Sequence, residues 1–303
     1  MAQLETEYEL EHGGHSAMEA ELVEEASRWQ HFKELVKTSW MLKVGLLLVF
    51  AAVFLTIFGP MIAPHPLEDA TPDVLQGPSG DHWFGTDGSG FDVFSRVIAA
   101  PRVDVLIALA ATALSLVLGS LIGLIVSFFK GWMGELTMRF VDVIQAFPLF
   151  VLAIIFVVGR GRSTFNIIVV IALLNIPIYL RLIRAEVFSL RERVFVESAR
   201  AGGDSGISIA LRHVMPNAMS PGFAQMSITM GYSIIVAAGL SFIGAGIQPP
   251  KAEWGAMIAA GANGIQIGQW WPSLFPGIAM SLTVFGFAVV GEALQAVFLR
   301  QRV

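Results

Sequence analysis

Residues 197–218 read ESARAGGDSGISIALRHVMPNA, a bent amphipathic segment between two long apolar runs. The glycines at 202 and 203 are predicted to end a first helix, because glycine accepts the left-handed conformation of helix C-termini. Asp204 or Ser205 can then cap a second helix. Pro216 is expected to interrupt that helix, since proline has no amide hydrogen. The pattern predicts two short helices joined by a turn.

Each of these short helices has an apolar face at helical spacing. The predicted apolar residues are Leu190, Val194, Phe195, Ala199, Ile207, Ala210, Leu211 and Val214. Two interpretations are open for such an element. It can be an interfacial helix that rests among lipid headgroups. It can also be a docking element for a cytoplasmic partner, because small residues and a turn at Gly203 would allow close approach.

The surrounding chain has the composition of a polytopic membrane protein. Of its 303 residues, 55% are hydrophobic and 14% are charged, whereas soluble domains have about 45–50% and about 25%. A helix needs about 20 apolar residues to cross a bilayer. We therefore predict an all-α integral membrane protein with six transmembrane helices, at Met41–Ala63, Val103–Phe129, Leu136–Val158, Asn166–Val187, Ala218–Ile243 and Pro272–Phe298.

The distribution of Lys and Arg predicts the orientation, because both are enriched in short cytoplasmic segments. With the N-terminus inside, fourteen of them fall in inner segments and five in outer ones. Both termini are therefore expected in the cytoplasm, as is a loop at 188–217. The predicted parts are an acidic cytoplasmic tail (1–40), a first span (41–63), an extracytoplasmic loop (64–102) and a five-helix core (103–299).

The tail at 1–40 has nine Glu against three Lys and Arg, in a chain whose net charge is −5. Its last part, 19–40, has the pattern of a solvated surface helix. His12 and His15 could bind a metal ion, but two ligands make a weak site, and we predict no metal site in the chain. No basic stripe indicates binding to nucleic acid.

Charged residues inside the predicted spans need an explanation, because they are costly in a membrane. Arg139 and Asp142 stand three residues apart in the third span, so they can pair on one helix face. A proton relay is one interpretation of this pair, and a local structural role is the simpler one. Asp104 lies near a span end, where it is expected to reach headgroups or water. Ser241 suggests no intramembrane protease, since no histidine lies at a matching depth.

Several stretches together resemble one family. Glu197, Ser198, Ala199, Gly203 and Pro216 are similar to the EAA loop of permease subunits of binding-protein-dependent ABC importers. Four stretches resemble the dipeptide, oligopeptide and nickel branch, second permease of the pair: FGTDGSGFDVFSRVI (84–98), MRFVDVIQAFP (138–148), RHVMPNA (212–218) and GLSFIGAGIQPPKAEWGAMI (239–258). Their order and number make the resemblance far more specific than one short motif.

The resemblance implies the type I permease fold of ABC importers. Its loop would insert into a groove on an ATPase subunit, with Glu197 as a polar anchor and Gly203 as the turn. His213 would be either a contact or a plain surface side chain. The implied partners are a sister permease, two cytoplasmic ATPase subunits, an extracytoplasmic substrate-binding protein and the lipid of a bacterial or archaeal cell (inner) membrane. The chain has no phosphate-binding G-x₄-G-K-[ST] sequence, so ATP and magnesium would be bound by the ATPases, and the chain itself is not expected to be an enzyme.

The predicted outer loops, 64–102 and 246–271, would cover the outer mouth and meet the binding protein. Their motif residues are Gly85, Thr86, Asp87, Asp92, Gln248, Pro249, Pro250 and Trp254. The branch usually has Arg where this chain has Phe91. Import of di- or oligopeptides is the leading expectation, and nickel, glutathione-like or oligosaccharide substrates stay open. An ion-driven secondary transporter is the alternative from another class.

Overall fold

The computed structural model describes Gln30 and residues 32–128 and 132–299. These residues are mainly helical, and the only β-pairing among them is one isolated bridge between Thr86 and Asp92. The α-helices are α1 (Trp40–Ile62), α2 (Val93–Ala99), α3 (Pro101–Phe128), α4 (Trp132–Ala146), α5 (Leu149–Arg160), α6 (Thr164–Leu190), α7 (Val194–Ala201), α8 (Gly206–Ile209), α9 (Met215–Ala218), α10 (Ser220–Phe242), α11 (Trp254–Gly261) and α12 (Trp271–Leu299).

Three smaller helical pieces complete the described chain. A π-helical segment (Ala210–Val214) joins α8 to α9, and a 3₁₀ helix (Ala262–Ile267) follows α11. Residues 32–38 are also helical. Most of the surface helix predicted over 19–40 lies outside the described residues.

Within the described residues, five helical stretches are long and apolar enough to cross a membrane. They are α1, the α2–α3 stretch, α6, α10 and α12, and they overlap five of the six predicted spans. The third predicted span is not one straight helix, because α4 and α5 meet at an angle of 91°. Counted as one broken span, this pair brings the number of spans to six.

The break between α4 and α5 follows from the sequence Phe147-Pro148. Proline has no amide hydrogen to continue the helix, and its ring disfavours the helical conformation in the residue before it. Pro148 has an extended backbone (ψ 126°) and stands as the N-cap of α5. The apolar length of this region predicted a span, while the proline within it decided that the span would bend.

The centre of the bundle is the packing of α3 against α6. Gly119 and Gly123 of α3 lie directly on α6, since an added Cβ at Gly119 would be 2.7 Å from the Cβ of Tyr179. Small residues let helix backbones approach closely in membranes. The same two helices also share a buried cluster that includes Ile107 and Ala111 of α3 and Ile171 of α6. Leu240 of α10 belongs to this cluster as well, so α10 packs against both helices.

The two ends of the bundle carry different structures. Residues 191–219, between α6 and α10, fold as a helical hairpin beside the C-terminal end of α3, and we call this side the hairpin end. Residues 63–92 and 243–270 lie at the opposite end, which we call the long-loop end. Most of the motif residues found in the sequence lie at one end or the other.

Candidate functional site

The helical hairpin at 191–219 has the turn that the sequence predicted. Gly203 has a positive φ of 88°, and the N–H of Asp204 donates to the carbonyl of Ala199 at 3.1 Å, which is the bond of a glycine-terminated helix. Ser205 then caps α8, because its hydroxyl accepts a hydrogen bond from the next turn at 3.2 Å. The turn is therefore fixed by local hydrogen bonds.

The expectation that Pro216 interrupts the second helix of the hairpin is wrong. The chain stays helical from Gly206 to Ala218, and the N–H of Met215 donates to the carbonyl of Ala210 across a π turn. Proline lacks the hydrogen that an α-helix would use, so a locally wide turn costs little there. Pro216 stands in the first turn of α9, where that hydrogen is not needed.

The buried face of the hairpin only partly matches the predicted one. The residues packed against α3 and α6 are Val196, Ile209, Ala210, Val214 and Ala218. Four of the residues predicted for the apolar faces are exposed instead: Val194, Phe195, Ile207 and Leu211. Both helices of the hairpin have two neighbouring apolar faces, and packing on the bundle uses one of them. The other stays open, and we call these four residues the exposed patch.

The motif residues of the hairpin are mostly exposed as well. Glu197, Ser198, Gly203 and Pro216 are exposed, and Ala199 is half-buried. A Cβ added at Gly203 would meet nothing within 4 Å. The Nε2 atom of His213 lies 3.6 Å from a carboxylate oxygen of Asp204, which follows the turn. The structure therefore gives His213 a partner within the hairpin.

Two arginines connect neighbouring helices near the point where α6 leads into the hairpin. Arg191 donates to the carbonyl of Ser127, near the end of α3, at 3.0 Å. Arg184 donates to the carbonyl of Gly134 in α4 at 3.2 Å. Both guanidinium groups also lie over the ring of Phe188, at 4.5 and 5.1 Å. A force on the hairpin would thus reach three helices through short contacts.

The predicted pair of Arg139 with Asp142 is wrong. The Asp142 carboxylate accepts instead from the guanidinium of Arg181 on α6, at 2.7 Å. Both partners are about half exposed. Spacing along α4 made the local pair feasible, but the position of α6 brings the Arg181 guanidinium onto the carboxylate instead.

At the long-loop end, the residues of the FGTD stretch are part of the packed structure. Gly85 has a φ of 74°, and an added Cβ would be 2.8 Å from the ring of Trp271. Thr86 is fully buried; its hydroxyl accepts from the N–H of Gln76 at 2.9 Å, and its carbonyl accepts from the Trp271 indole at 3.0 Å. Asp87 closes the following turn by accepting two backbone hydrogen bonds.

Two further motif residues of this end are also buried. Asp92 caps α2 by accepting from the N–H of Ser95 at 2.7 Å, and its second oxygen lies 2.8 Å from Nδ1 of His82. Trp254 is 1% exposed, and its indole donates to the carbonyl of Val97 at 3.1 Å. The atypical Phe91 has a partner within the chain, since its ring lies 4.3 Å from the guanidinium of Arg96.

Three residues of the predicted outer motif, at 248–250, are exposed to solvent. Gln248, Pro249 and Pro250 are exposed, and the Pro249–Pro250 bond is cis. A contact of the outer motif with a partner therefore stays a prediction for these three and for the half-buried Asp87.

Sequence reasoning missed a buried carboxyl pair at this end. Asp104 was expected to reach headgroups or water, but its side chain is buried, with 1% exposed. Its carboxylate accepts a hydrogen bond from the N–H of Trp254 at 3.1 Å. Glu253 is fully buried and caps α11 with both oxygens, at 2.7 and 3.0 Å. Burial raises the pKa of Glu253 above its usual value. A glutamate directly before a helical Trp-Gly is the signal that could have indicated the cap.

The fold and the hairpin together define a helical membrane permease. Residues 115–302 match the family described as binding-protein-dependent transport system inner membrane component. The chain belongs to this family, and it is a permease subunit of an ABC importer with the type I fold. It is a transport subunit rather than an enzyme, and the family implies ATPase and substrate-binding partners. An ion-driven secondary transporter is therefore not supported.

Curated relatives cover nearly the whole chain. The dipeptide transport system permease protein DppC of Alkalihalophilus pseudofirmus is 36% identical over 271 residues, which are 89% of this chain and 88% of the relative. The glutathione transport system permease protein GsiD of Escherichia coli O1:K1 / APEC is 36% identical over 269 residues, 88% of each chain. The similarity thus includes both ends of the bundle.

Proposed function

We propose that this permease imports di- or oligopeptides and that the helical hairpin couples it to ATP hydrolysis. The substrate class is supported by the relatives, which carry a dipeptide and glutathione, itself a tripeptide. Nickel and oligosaccharides are the competing substrates within the same machinery. The proposal places a sister permease beside this chain and the translocation path between the two.

The observation that carries the coupling role is the exposed patch on a well-anchored hairpin. Val194 and Ile207 are 76% and 63% exposed, while Val196 beneath them is fully buried. Several exposed apolar side chains on one short element mark a candidate interaction surface. Glu197 adds an exposed carboxylate in the same short helix, which suits a partner that offers a basic or amide group.

The mechanism follows from how the hairpin is attached. Arg191 links it to α3, Arg184 links α6 to α4, and α6 and α10 continue directly from its two ends. Closure of two partner ATPases would then move the hairpin, and with it these spans, as a rigid body, alternating the access of the path. ATP and magnesium would be bound by those partners.

The proposed orientation has the hairpin and both termini in the cytoplasm, as the Lys and Arg distribution predicts. The long-loop end would face the extracytoplasmic side. There the exposed Gln248, Pro249 and Pro250 would meet a substrate-binding protein. The orientation is tested by labelling single cysteines at Ser205 and at Ser79 in intact cells, because the chain has no cysteine of its own. An impermeant reagent should modify the second site only.

The coupling role is tested by Gly203→Trp in the complete complex in lipid. Gly161→Trp is a matched control, since Gly161 also has a positive φ, of 95°, and open space around it, at the long-loop end. We expect binding-protein-stimulated ATP hydrolysis and uptake to fall at least about ten-fold in the first variant and to persist in the second. Unchanged uptake with Gly203→Trp would instead make the hairpin an interfacial helix.

The substrate class needs a separate measurement. The complex with its own binding protein should take up labelled di- and tripeptides, and an excess of unlabelled peptide should compete. Nickel ions and oligosaccharides should neither be taken up nor compete. Uptake of either of these without peptide uptake would contradict the peptide assignment and leave the coupling result unaffected.

A further inference from the structure

The long-loop end contains a cluster of three side chains that can ligate a metal ion. His65, His82 and Asp92 each offer one ligand atom, and these atoms lie within 4.8 Å of one another. The three residues come from separate stretches: the chain after α1, the loop, and the N-cap of α2. No spacing in the sequence indicated them, because only the fold brings them together.

Each imidazole of the cluster can offer a nitrogen lone pair to a cation. Nε2 of His65 lies 2.9 Å from the carbonyl oxygen of Asp81, and since a carbonyl only accepts, that nitrogen carries the hydrogen and Nδ1 keeps its lone pair. Nδ1 of His82 faces an Asp92 oxygen at 2.8 Å. A cation bound between these two atoms would take the place of the hydrogen that they share, and the ring hydrogen of His82 would then lie on Nε2.

Further hydrogen bonds hold the residues of the cluster in place, as is usual for metal ligands. The second Asp92 oxygen accepts from the N–H of Ser95 at 2.7 Å, and the hydroxyl of the same serine accepts from the backbone N–H of His65 at 3.1 Å. The two imidazole rings lie 4.7 Å apart at their centroids. His82 and Asp92 are buried, whereas His65 is half-buried. A cation can therefore reach the cluster from solvent on the His65 side.

We propose that His65, His82 and Asp92 form a binding site for a divalent transition-metal ion, with zinc as the best match. Two imidazoles and a carboxylate are typical zinc ligands, at about 2.0–2.1 Å, which places ligand atoms roughly 3.3 Å apart. A small shift of the half-buried His65 side chain can close this difference. The fourth position is left to water or to another ligand. The bound ion fastens the loop to the start of α2, and this role does not depend on the imported substrate.

The test is a titration of the tag-free full chain in lipid nanodiscs, after treatment with a chelator. Zn²⁺ binding is measured by competition with a chromophoric chelator, and Co²⁺ binding by its visible absorption, which reports the ligand geometry. We expect one Zn²⁺ per chain. His65→Ala and Asp92→Asn should each weaken binding at least about ten-fold, and asparagine keeps the helix cap intact.

Two control variants separate this cluster from the other histidines. His213→Ala changes the hairpin end, and the double variant His12→Ala/His15→Ala changes the acidic tail; both should bind Zn²⁺ like the unmodified chain. Circular dichroism and size-exclusion profiles show that each variant is folded. The proposal is overturned if the unmodified chain binds no Zn²⁺, if His65→Ala binds it equally well, or if the tail variant abolishes binding.

Discussion

The two ends of the bundle use their motif residues in opposite ways. At the hairpin end, Glu197, Ser198 and Gly203 are exposed, and the packed residues beneath them are ordinary aliphatic side chains. At the long-loop end, Thr86 and Trp254 are at most 1% exposed and hydrogen-bonded within the chain. The first motif is therefore available to a partner, whereas the second holds the fold together.

Because of this difference, substitutions of the two sets of motif residues should change different properties of the protein. A buried polar group must keep its hydrogen-bond partners, because losing one leaves a desolvated group unpaired. Substitutions at the long-loop end should therefore lower the free energy of unfolding. Substitutions of exposed hairpin residues should leave folding nearly intact and affect only the assembled transporter.

The largest expected effect is that of Trp254→Ala. It removes a fully buried indole and its hydrogen bond to Val97, so the free energy of unfolding should fall by about 3–5 kcal/mol. Denaturant unfolding in detergent micelles measures it. Trp83→Ala is the matched control: Trp83 is 59% exposed and packs only on Phe94 among the described aromatic rings, so its loss should cost about 1 kcal/mol or less. Equal effects would contradict the comparison.

The next effect is a contrast between two glycines with positive φ. Alanine at Gly203 meets open space, so Gly203→Ala should cost only the backbone strain of about 1–2 kcal/mol. Alanine at Gly85 carries the same strain and also overlaps the carbonyl of Gln76 and the ring of Trp271, which should add about 1–3 kcal/mol. Thermal unfolding of both variants tests this. If Gly203→Ala is less stable than Gly85→Ala, the proposed difference between the two ends is contradicted.

Much of the fold could be predicted from the sequence, because apolar length alone identifies membrane helices. The turn at Gly203 and the cap at Ser205 were also predictable, since both are local. The bend between α4 and α5 was not predicted, although Pro148 was visible, because length was given more weight than the proline. The sequence resemblance found the family and the hairpin.

What the sequence could not predict depends on contacts between distant residues. Periodicity predicted Val194 on the apolar face and did not include Val196, whereas packing against α3 and α6 buries Val196 and leaves Val194 exposed. The pairing of Asp142 with Arg181 likewise needs the position of a second helix. The same holds for Asp104 beside Trp254, which lies 150 residues further along the chain.

A smaller, pH-dependent effect is expected from Glu253→Gln. Burial raises the pKa of Glu253 above its usual value near 4.5, so the folded state holds the proton more tightly than the unfolded one. This contribution to stability is complete below the unfolded pKa and is lost as pH rises through the folded pKa. Glutamine has no such proton to lose. The stability of the unmodified chain relative to the variant should therefore fall as the pH rises above about 4.5, the pKa of the unfolded state, in unfolding curves measured at each pH. Parallel pH profiles would contradict it.

The smallest effect concerns the exposed ion pair in the hairpin half of the bundle. A double-mutant cycle of Arg181→Gln and Asp142→Asn should give a coupling of about 0.2–1 kcal/mol, because both side chains are about half exposed. The same cycle with Arg139→Gln should give a coupling near zero, and a larger value there would restore the local pair. If the Arg181 coupling grows when the cycle is repeated in the assembled transporter, a partner subunit buries the pair. That is the behaviour expected where side chains are exposed to a partner, and it would not be expected for the buried motif residues Thr86 and Trp254 of the long-loop end.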